Sequence, residues 1–540
     1  MSPWIDCRAA LLSGLILLAS GCWRGSIGPL PEGDPGRPDI VLISIDTLRA
    51  DHLQSYGHFR KTSPWFDRLA AQGTRFEFAR SASPWTLPSH TTMLSGQLPK
   101  THMVVEDKHV LPDTTPVLPE LLQAAGYKTG GFVATLYVSE KFNFQRGFDE
   151  FDDHDIDSER ENLRGEVLAE HVVDNALRWW SKQPAGQPVF LFLHSYDVHY
   201  EYDPPGDYGT VFDRPPQKGD RKYKNYHHFK KHKVSEAQFK HQRAQYDEAI
   251  RYVDDQFKRI SDAANKAGRS VRFIITSDHG EEFGERGSWG HAHTLYSEQL
   301  HVPLIMSGGG LPKGVVSGVA GTQDIAPTVL AWVDGALPMP SPDGIDLTDS
   351  MKGEALPSRV FASETTRFKT NRLGVYSDGL RMEWNLNSGK AELFDPHADP
   401  KEATDLAGKR PADVVRLKKL LSEDLGQPWE ATQTAMVTTT GRLLRDGARS
   451  KSLRVQAGDR FLVLPYDAQV TVEVAGTTYG PWKAIGGERP GEGCPLRFMG
   501  SANTGSIEMT DEELALLETL GYITEDEGEE AAAPGAPCGK

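Results

Sequence analysis

Acid and imidazole side chains recur where apolar runs end in this chain, and a threonine stands where a helix is set to begin. Asp46 follows the run Asp39-Ile40-Val41-Leu42-Ile43-Ser44-Ile45. Asp197 and His199 come just after Pro188-Val189-Phe190-Leu191-Phe192-Leu193-His194, and Asp278 and His279 close Val271-Arg272-Phe273-Ile274-Ile275-Thr276-Ser277. His291 and His293 follow soon after. Carboxylates mixed with imidazoles, without a cysteine cluster, suit Zn²⁺, Mn²⁺ or a similar divalent ion. Such an ion binds a hydroxyl oxygen, lowers its pKa and polarises an ester oxygen as a Lewis acid. Thr86 offers that hydroxyl. It lies in Ser83-Pro84-Trp85-Thr86-Leu87-Pro88-Ser89-His90, a loop turning sharply into a buried helix whose emerging N–H groups favour an anionic oxygen. A bare threonine is a poor nucleophile near neutral pH, so this chemistry requires the metal or a base.

The elements that must position these residues read as strands alternating with helices. A continuous apolar run ending in a carboxylate is how a strand buried on both faces of a parallel sheet reads, and sites in open α/β sheets lie beyond such ends. Helices are expected at 63–73, 118–125, 167–180 and 238–266, the last with Tyr246, Ile250, Val253 and Phe257 on one face. Further strands are expected at 129–133 and 302–306. Residues 38–350 therefore form one catalytic α/β domain. Hairpin signals at Ser377-Asp378-Gly379 and Asn387-Ser388-Gly389, with a helix at 411–425, predict an antiparallel subdomain over 351–430. Short β-like runs within 452–485 predict a small β-rich extension over 431–508. A capped helix starting at Thr510 and an acidic tail fill 509–540. A polar insertion, 204–240, is dense in Lys, His and Tyr; it reads as a solvated loop or as a surface that steers an anionic substrate.

Composition narrows the function further. A 540-residue chain with 38% apolar and 25% charged residues is that of a globular protein with a large core. Its net charge of -16 argues against nucleic-acid partners, which require excess Lys and Arg. The apolar run from Ala9 to Cys22 is too short to span a bilayer comfortably and ends in small residues, as an export signal does. Its close, Leu18-Ala19-Ser20-Gly21-Cys22, resembles a bacterial lipobox, in which Cys22 is lipidated. Residues 1–22 are then a lipoprotein signal and 23–37 a Gly/Pro-rich tether. The expected location is the bacterial cell envelope, reached by export and held to the membrane through a lipid anchor. Cys494 and Cys538 are free to pair in such an oxidising compartment.

The ordered motifs resemble the sulfatase branch of the alkaline phosphatase superfamily. They are Ile45-Asp46-Thr47-Leu48-Arg49-Ala50-Asp51-His52-Leu53 with Tyr56-Gly57, Leu87-Pro88-Ser89-His90 onward to Gly96, Gly126-Tyr127-Lys128-Thr129, and Arg146-Gly147-Phe148-Asp149. Ser277-Asp278-His279-Gly280-Glu281, Gly290-His291-Ala292-His293-Thr294-Leu295-Tyr296, Val302-Pro303-Leu304-Ile305 and Leu393-Phe394-Asp395 continue the series. The resemblance implies an alkaline phosphatase-like α/β sandwich: a large mixed, mostly parallel central sheet flanked by helices, plus a small C-terminal antiparallel sheet. It also implies metal ligation by Asp46, Asp278 and His279, with Thr86 completing the sphere and attacking the ester to form a covalent intermediate. His199 matches the histidine that contacts the bound anion, and His293, or alternatively His291, matches the segment that contacts the anion or supports a leaving group. Asp197, His199, His291 and His293 are candidates for a second metal or for anion contacts.

Departures from the family pattern redirect the chemistry. Sulfatases of the usual kind place Cys or Ser at position 86, oxidised to formylglycine, and an arginine where this chain has His90, a candidate catalytic residue in its place. Threonine cannot form that aldehyde. The second acid after the first strand is Thr47, which argues against a calcium site of the sulfatase type and favours Zn or Mn over Ca, with one or two ions bound. The sulfate-clamping Lys and His are replaced near Ala134 and Leu136. The implied activity is a metal-dependent hydrolase of phosphate or sulfate esters, acting on an anionic ester of a glycan or lipid head group. The alternatives are a phosphoglycerol- or phosphoethanolamine-type transferase acting on envelope glycans or lipids, and a non-catalytic binding lipoprotein of the same fold.

Overall fold

The first strand explains why the chain folds as it does. In the computed structural model β1 (Asp39–Ile45) is buried along its whole length, and its side chains alternate between two cores. Ile40 and Leu42 pack with Phe190, Phe192 and Ile274 on one face. Val41, Ile43 and Ile45 pack with Leu191, Leu193 and Ile275 on the other. A strand covered on both faces has no wet side, so its sequence shows no polar alternation.

The structure describes residues 37–153, 168–215, 234–425, 429–464, 468–483, 494–499 and 506–511, with 32, 217, 490, 513 and 514. The leader with Cys22, the basic stretch of the insertion, Cys538 and the acidic tail lie outside the described residues.

Next come β2 (Thr74–Arg80), β3 (Lys128–Phe132), β4 (Glu150–Asp152), β5 (Val189–Ser195) and β6 (Val271–Thr276). A small hairpin follows, β7 (Glu282–Phe283) and β8 (Trp289–Gly290), then β9 (His301–Val302), β10 (Leu304–Gly308) and β11 (Gly314–Gly321). The central sheet runs β11-β2-β10-β6-β1-β5-β3-β4, with β9 paired to β2. Only β9 and β10 run antiparallel to their neighbours. Ile45 stands opposite Ser195 and Ser44 opposite Thr276, so the chain leaves β1, β5 and β6 side by side. At the other end of β1, Asp39 accepts the Val189 N–H at 2.8 Å and forms a buried ion pair with Arg269. Arg269 also donates to the Gln187 carbonyl at 2.7 Å, so one guanidinium ties together the starts of β1 and β5.

The helix Glu236–Ala267 opens with a reciprocal cap between Ser235 and Gln238 and stops at Gly268, whose φ of 68° a side chain would resist. Its expected start at 238 falls at the third residue of the helix, since a cap begins before the apolar stripe does. Tyr246, Ile250, Val253 and Phe257 are all buried in the second core.

The antiparallel sheet is present as β12 (Phe361–Thr365), β13 (Arg372–Ser377), β14 (Leu380–Asn385) and β15 (Ala391–Phe394), in that order. Asp378 and Gly379, with φ of 51° and 77°, make the tight turn between β13 and β14. The β-like runs at 452–485 belong to a larger sheet than expected, which already begins at Trp429: β16 (Trp429–Ala431), β17 (Ala435–Arg445), β18 (Ala448–Val455), β19 (Arg460–Leu464), β20 (Gln469–Val474), β21 (Thr477–Lys483) and β22 (Leu496–Phe498). Leu444, Leu462 and Leu464 of this sheet share a core with Trp384 and with Leu417 and Leu421 of the helix Pro411–Asp424. Cys494 is buried and disulfide-bonded. Ser506 pairs with His109, and Thr510 and Glu513 cap one another through their side chains and N–H groups. Among the described residues no helix is long and apolar enough to cross a membrane.

Candidate active site

Thr86 is the first residue of the helix Thr86–Ser95, reached from extended backbone at Trp85. Its hydroxyl is fully buried, 3.4 Å from Asp46 Oδ2 and 3.4 Å from His279 Nε2. Asp46 arrives from the end of β1, and Asp278 and His279 from beyond β6. One donor atom each of Asp46, Asp278 and His279 lie within 4.8 Å of one another, all buried. The nucleophile candidate and the ligand candidates are therefore brought together by the side-by-side exits of two strands and the start of one helix.

The hydrogen bonding around this group favours a cation. Asp278 Oδ1 accepts the backbone N–H groups of Thr47 at 3.2 Å and His279 at 2.8 Å. Its Oδ2 is buried and accepts no hydrogen bond among the described residues. His279 Nδ1 lies 3.0 Å from the Gly280 carbonyl, to which it can only donate. In the neutral ring the Nε2 lone pair then faces Asp278 Oδ2 at 3.3 Å and Asp46 Oδ1 at 3.7 Å. Electron-rich atoms pointed at one another in a buried space repel unless a positive charge lies between them. A set of carboxylate oxygens, an imidazole nitrogen and a hydroxyl fits a divalent ion such as zinc or manganese.

His90 borders this group, with its Nδ1 3.6 Å from Asp278 Oδ2. Its Nδ1–H donates to the Thr86 carbonyl at 3.0 Å, so its Nε2 accepts the Ser44 hydroxyl at 2.9 Å. Burial pushes its pKa down to about 3, which keeps the ring neutral. It thus links β1 to the first turn of the helix that begins at Thr86.

His199 and His291 form one wall. Their rings are 5.0 Å apart, and His291 is 4.4 Å from His279. His199 stacks on Tyr196 at 4.2 Å and donates from Nδ1 to the Tyr200 carbonyl at 3.0 Å. His291 Nδ1 lies 3.1 Å from Glu281 Oε1.

The other two expected contacts are turned elsewhere. His293 points back into the β7–β8 hairpin, with Nε2 at 2.9 Å from Ser288 Oγ and 3.2 Å from Glu282 Oε2. Ala292, between the two histidines, has a φ of 70°, and this left-handed residue sends His291 and His293 apart. Asp197 accepts the Ser195 hydroxyl at 2.6 Å and the Ala169 N–H at 2.9 Å, capping the helix Ala169–Trp180. A second metal held by Asp197, His199, His291 and His293 together is thus not assembled.

His194, the penultimate residue of β5, is the site residue that sequence reasoning missed. Its Nδ1 accepts the Ala134 N–H at 3.4 Å, and its Nε2 lies 3.4 Å from Asp46 Oδ2. The available signal was a histidine inside an otherwise apolar buried run. A further His/Asp group, His52, His58 and Asp247, is already closed by direct hydrogen bonds of 2.6 and 2.9 Å and by Arg60 at 2.8 Å. That network needs no ion.

Comparison with known proteins identifies the family. The family model described as Sulfatase matches residues 38–336. An arylsulfatase of Clostridium perfringens is 24% identical over 459 residues, covering 72% of this chain and 94% of the relative. Among solved structures, a phosphonate monoester hydrolase of Agrobacterium radiobacter superposes with a TM-score of 0.58 at 19% identity, over 71% of this chain and 94% of that one. A protein solved with its substrate D-glucosamine-2-N,6-O-disulfate superposes with a TM-score of 0.60 at 17% identity, over 72% of this chain and 98% of that one. At such identities the structural likeness shows the fold, a mostly parallel sheet with flanking helices and a separate small antiparallel sheet.

Proposed function

The chain belongs to the sulfatase family and is a sulfatase-type ester hydrolase; we propose that Thr86 is its nucleophile, working beside a divalent cation held by Asp46, Asp278 and His279. The observation that carries this reading is the Thr86 hydroxyl, buried 3.4 Å from both an acid and an imidazole of that group. When bound there, the cation supplies Lewis-acid polarisation of the ester and favours the ionised hydroxyl.

Thr86 Oγ1 forms a bond to sulfur or phosphorus while the bond from that atom to the leaving-group oxygen breaks, its electron pair going to the leaving oxygen. Asp46 Oδ2 is the carboxylate oxygen placed to take the hydroxyl proton. His199 Nε2, 3.3 Å from the Tyr196 hydroxyl, is the ring nitrogen left to give a proton to an oxygen of the anion or to the leaving group, because Nδ1–H is committed to Tyr200. His291 narrows the same wall, and His90 holds the Thr86 carbonyl. Water then attacks that sulfur or phosphorus: its oxygen forms the new bond as the bond to Thr86 Oγ1 breaks, Thr86 takes back the proton held by Asp46, and the proton lost by water passes to His199. The formylglycine route is closed, because the threonine β-carbon carries a methyl group and its oxidation yields a ketone.

The substrate class this site favours is an anionic sulfate, phosphate or phosphonate ester, carried on a glycan or a lipid head group. Quenched turnover of aryl sulfate, phosphate and phosphonate esters tests the reading: mass spectrometry should find the added group on the Thr86 peptide. Thr86→Ala retaining wild-type rates across that panel would overturn it. The Leu18–Cys22 motif supports lipid anchoring at the cell envelope; Cys22→Ala should move the protein from the membrane to the aqueous fraction.

A further inference from the structure

The family resemblance places an anion clamp just after β3, but the positions concerned are Ala134 and Leu136, both buried and apolar. The next side chain, Tyr137, donates its hydroxyl to Asp107 Oδ1 at 2.7 Å and accepts Arg367 Nη2 at 3.3 Å. Arg367 comes from a different part of the chain, the turn that follows β12 in the antiparallel sheet. It is 6% exposed, its Nη1 pairs with Asp107 at 2.6 Å, and its guanidinium lies 4.2 Å over the ring of Trp85, the residue before Thr86.

The segment carrying Arg367 is stitched to both loops of the site. The Glu364 N–H donates to the Ala82 carbonyl at 3.1 Å, and Thr365 Oγ1 donates to the Ala292 carbonyl at 2.8 Å. The Ala292 N–H in turn donates to the Pro84 carbonyl at 3.0 Å. The nucleophile loop, the His291 loop and the end of β12 thus form one unit.

We propose that Arg367 supplies the fixed positive charge that recognises the anionic oxygens of the ester, replacing from the second sheet the clamp that is missing after β3. This inference rests on the Thr86 reading. The two carboxylates of the ligand group balance a divalent cation, so an incoming sulfate or phosphate group needs charge from elsewhere. A guanidinium never loses its proton, and its planar fork suits a tetrahedral oxyanion. Stacking on Trp85 and the contact with Tyr137 orient that plane, while Asp107, 28% exposed at its side chain, tempers the charge from the outer side.

The test is calorimetric binding of inorganic sulfate and inorganic phosphate to the full chain, in a Thr86→Ala background where no turnover occurs. Arg367→Gln should weaken both anions at least about tenfold, the loss of one charge-assisted hydrogen bond, whatever the change in melting temperature. Arg367→Lys should fall between wild type and Arg367→Gln, since the charge stays while the fork and the stacking on Trp85 are lost. Asp107→Asn should tighten binding, because it removes the carboxylate that tempers Arg367. A merely structural arginine predicts lower melting temperatures in the Gln and Asn variants with unchanged anion affinity, and that unchanged affinity overturns the proposal. Should Arg367→Gln fail to fold, Asp107→Asn decides alone, and unchanged or weaker binding refutes. Failure of the Thr86 reading shows separately, as wild-type turnover in Thr86→Ala, and leaves the binding result interpretable.

Discussion

His90→Ala separates a positioning histidine from a proton-transferring one. The side chain is fully buried and makes two hydrogen bonds, one to the Thr86 carbonyl at 3.0 Å and one from the Ser44 hydroxyl at 2.9 Å. Removing a buried ring costs about 3 kcal/mol or more in lost burial and cavity. Leaving the Ser44 hydroxyl buried without an acceptor adds about 1 kcal/mol. A destabilisation of about 4 kcal/mol is therefore expected, read as a lower urea midpoint at unchanged slope. Adding Ser44→Ala should recover about 1 kcal/mol, because it removes the orphaned hydroxyl. Activity should fall about a hundredfold, the effect of releasing the nucleophile by about 1 Å. Both limbs of the kcat/KM pH profile should stay in place, since burial pushes the pKa of His90 down to about 3 and keeps the ring neutral. A variant of native stability that loses activity more than about ten-thousandfold and one pH limb would refute this, and would make His90 a proton donor.

Three more outcomes follow from the packing and charge of the site and its frame. Asp278→Asn keeps an acceptor for the Thr47 and His279 N–H groups but loses the charge of the ligand group, so elemental analysis should find divalent metal in wild type and not in the variant, with circular dichroism unchanged. Equal metal content in both would sink the ligand assignment. Asp254 accepts the Trp65 and Phe66 N–H groups at 2.9 and 2.8 Å, and burial pushes its pKa up to about 7 from 3.8. The native state therefore holds this proton more tightly than the unfolded chain, and stability falls as pH rises from about 4 to 7, by about 3–4 kcal/mol from this group. Asp254→Asn should flatten that slope in urea midpoints measured across the range, and an unchanged slope would assign it to other groups. Asp39→Ala leaves Arg269 buried without its partner and should cost about 3–5 kcal/mol, while kcat/KM at permissive temperature stays at wild type. A changed KM would mean that the far end of β1 reaches the site.

What was legible in the sequence follows the physics of strands. The ends of β1 and β6 could be read because a strand buried on both faces has an unbroken apolar signature, and Asp46, Asp278 and His279 stand where it stops. Side-chain direction beyond those ends could not be read, because loop backbone rather than strand alternation sets it. Thr47 at φ 58° turns its hydroxyl to the Val198 carbonyl, and Ala292 at φ 70° sends His291 to the site and His293 to the hairpin. His194 was hidden for the converse reason: it lies inside β5, where a polar residue in an apolar run looks like a tolerated exception. Arg367 had no local signal at all. It reaches Trp85 only because β12 leaves the second sheet against Ala82 and Ala292, a pairing across hundreds of positions that no periodicity encodes. The antiparallel sheet is therefore more than an appendage to the catalytic domain. Its first strand ties the Thr86 loop to the His291 loop, so on the proposed reading a substitution in that sheet alters anion recognition without touching Asp46, Asp278 or His279.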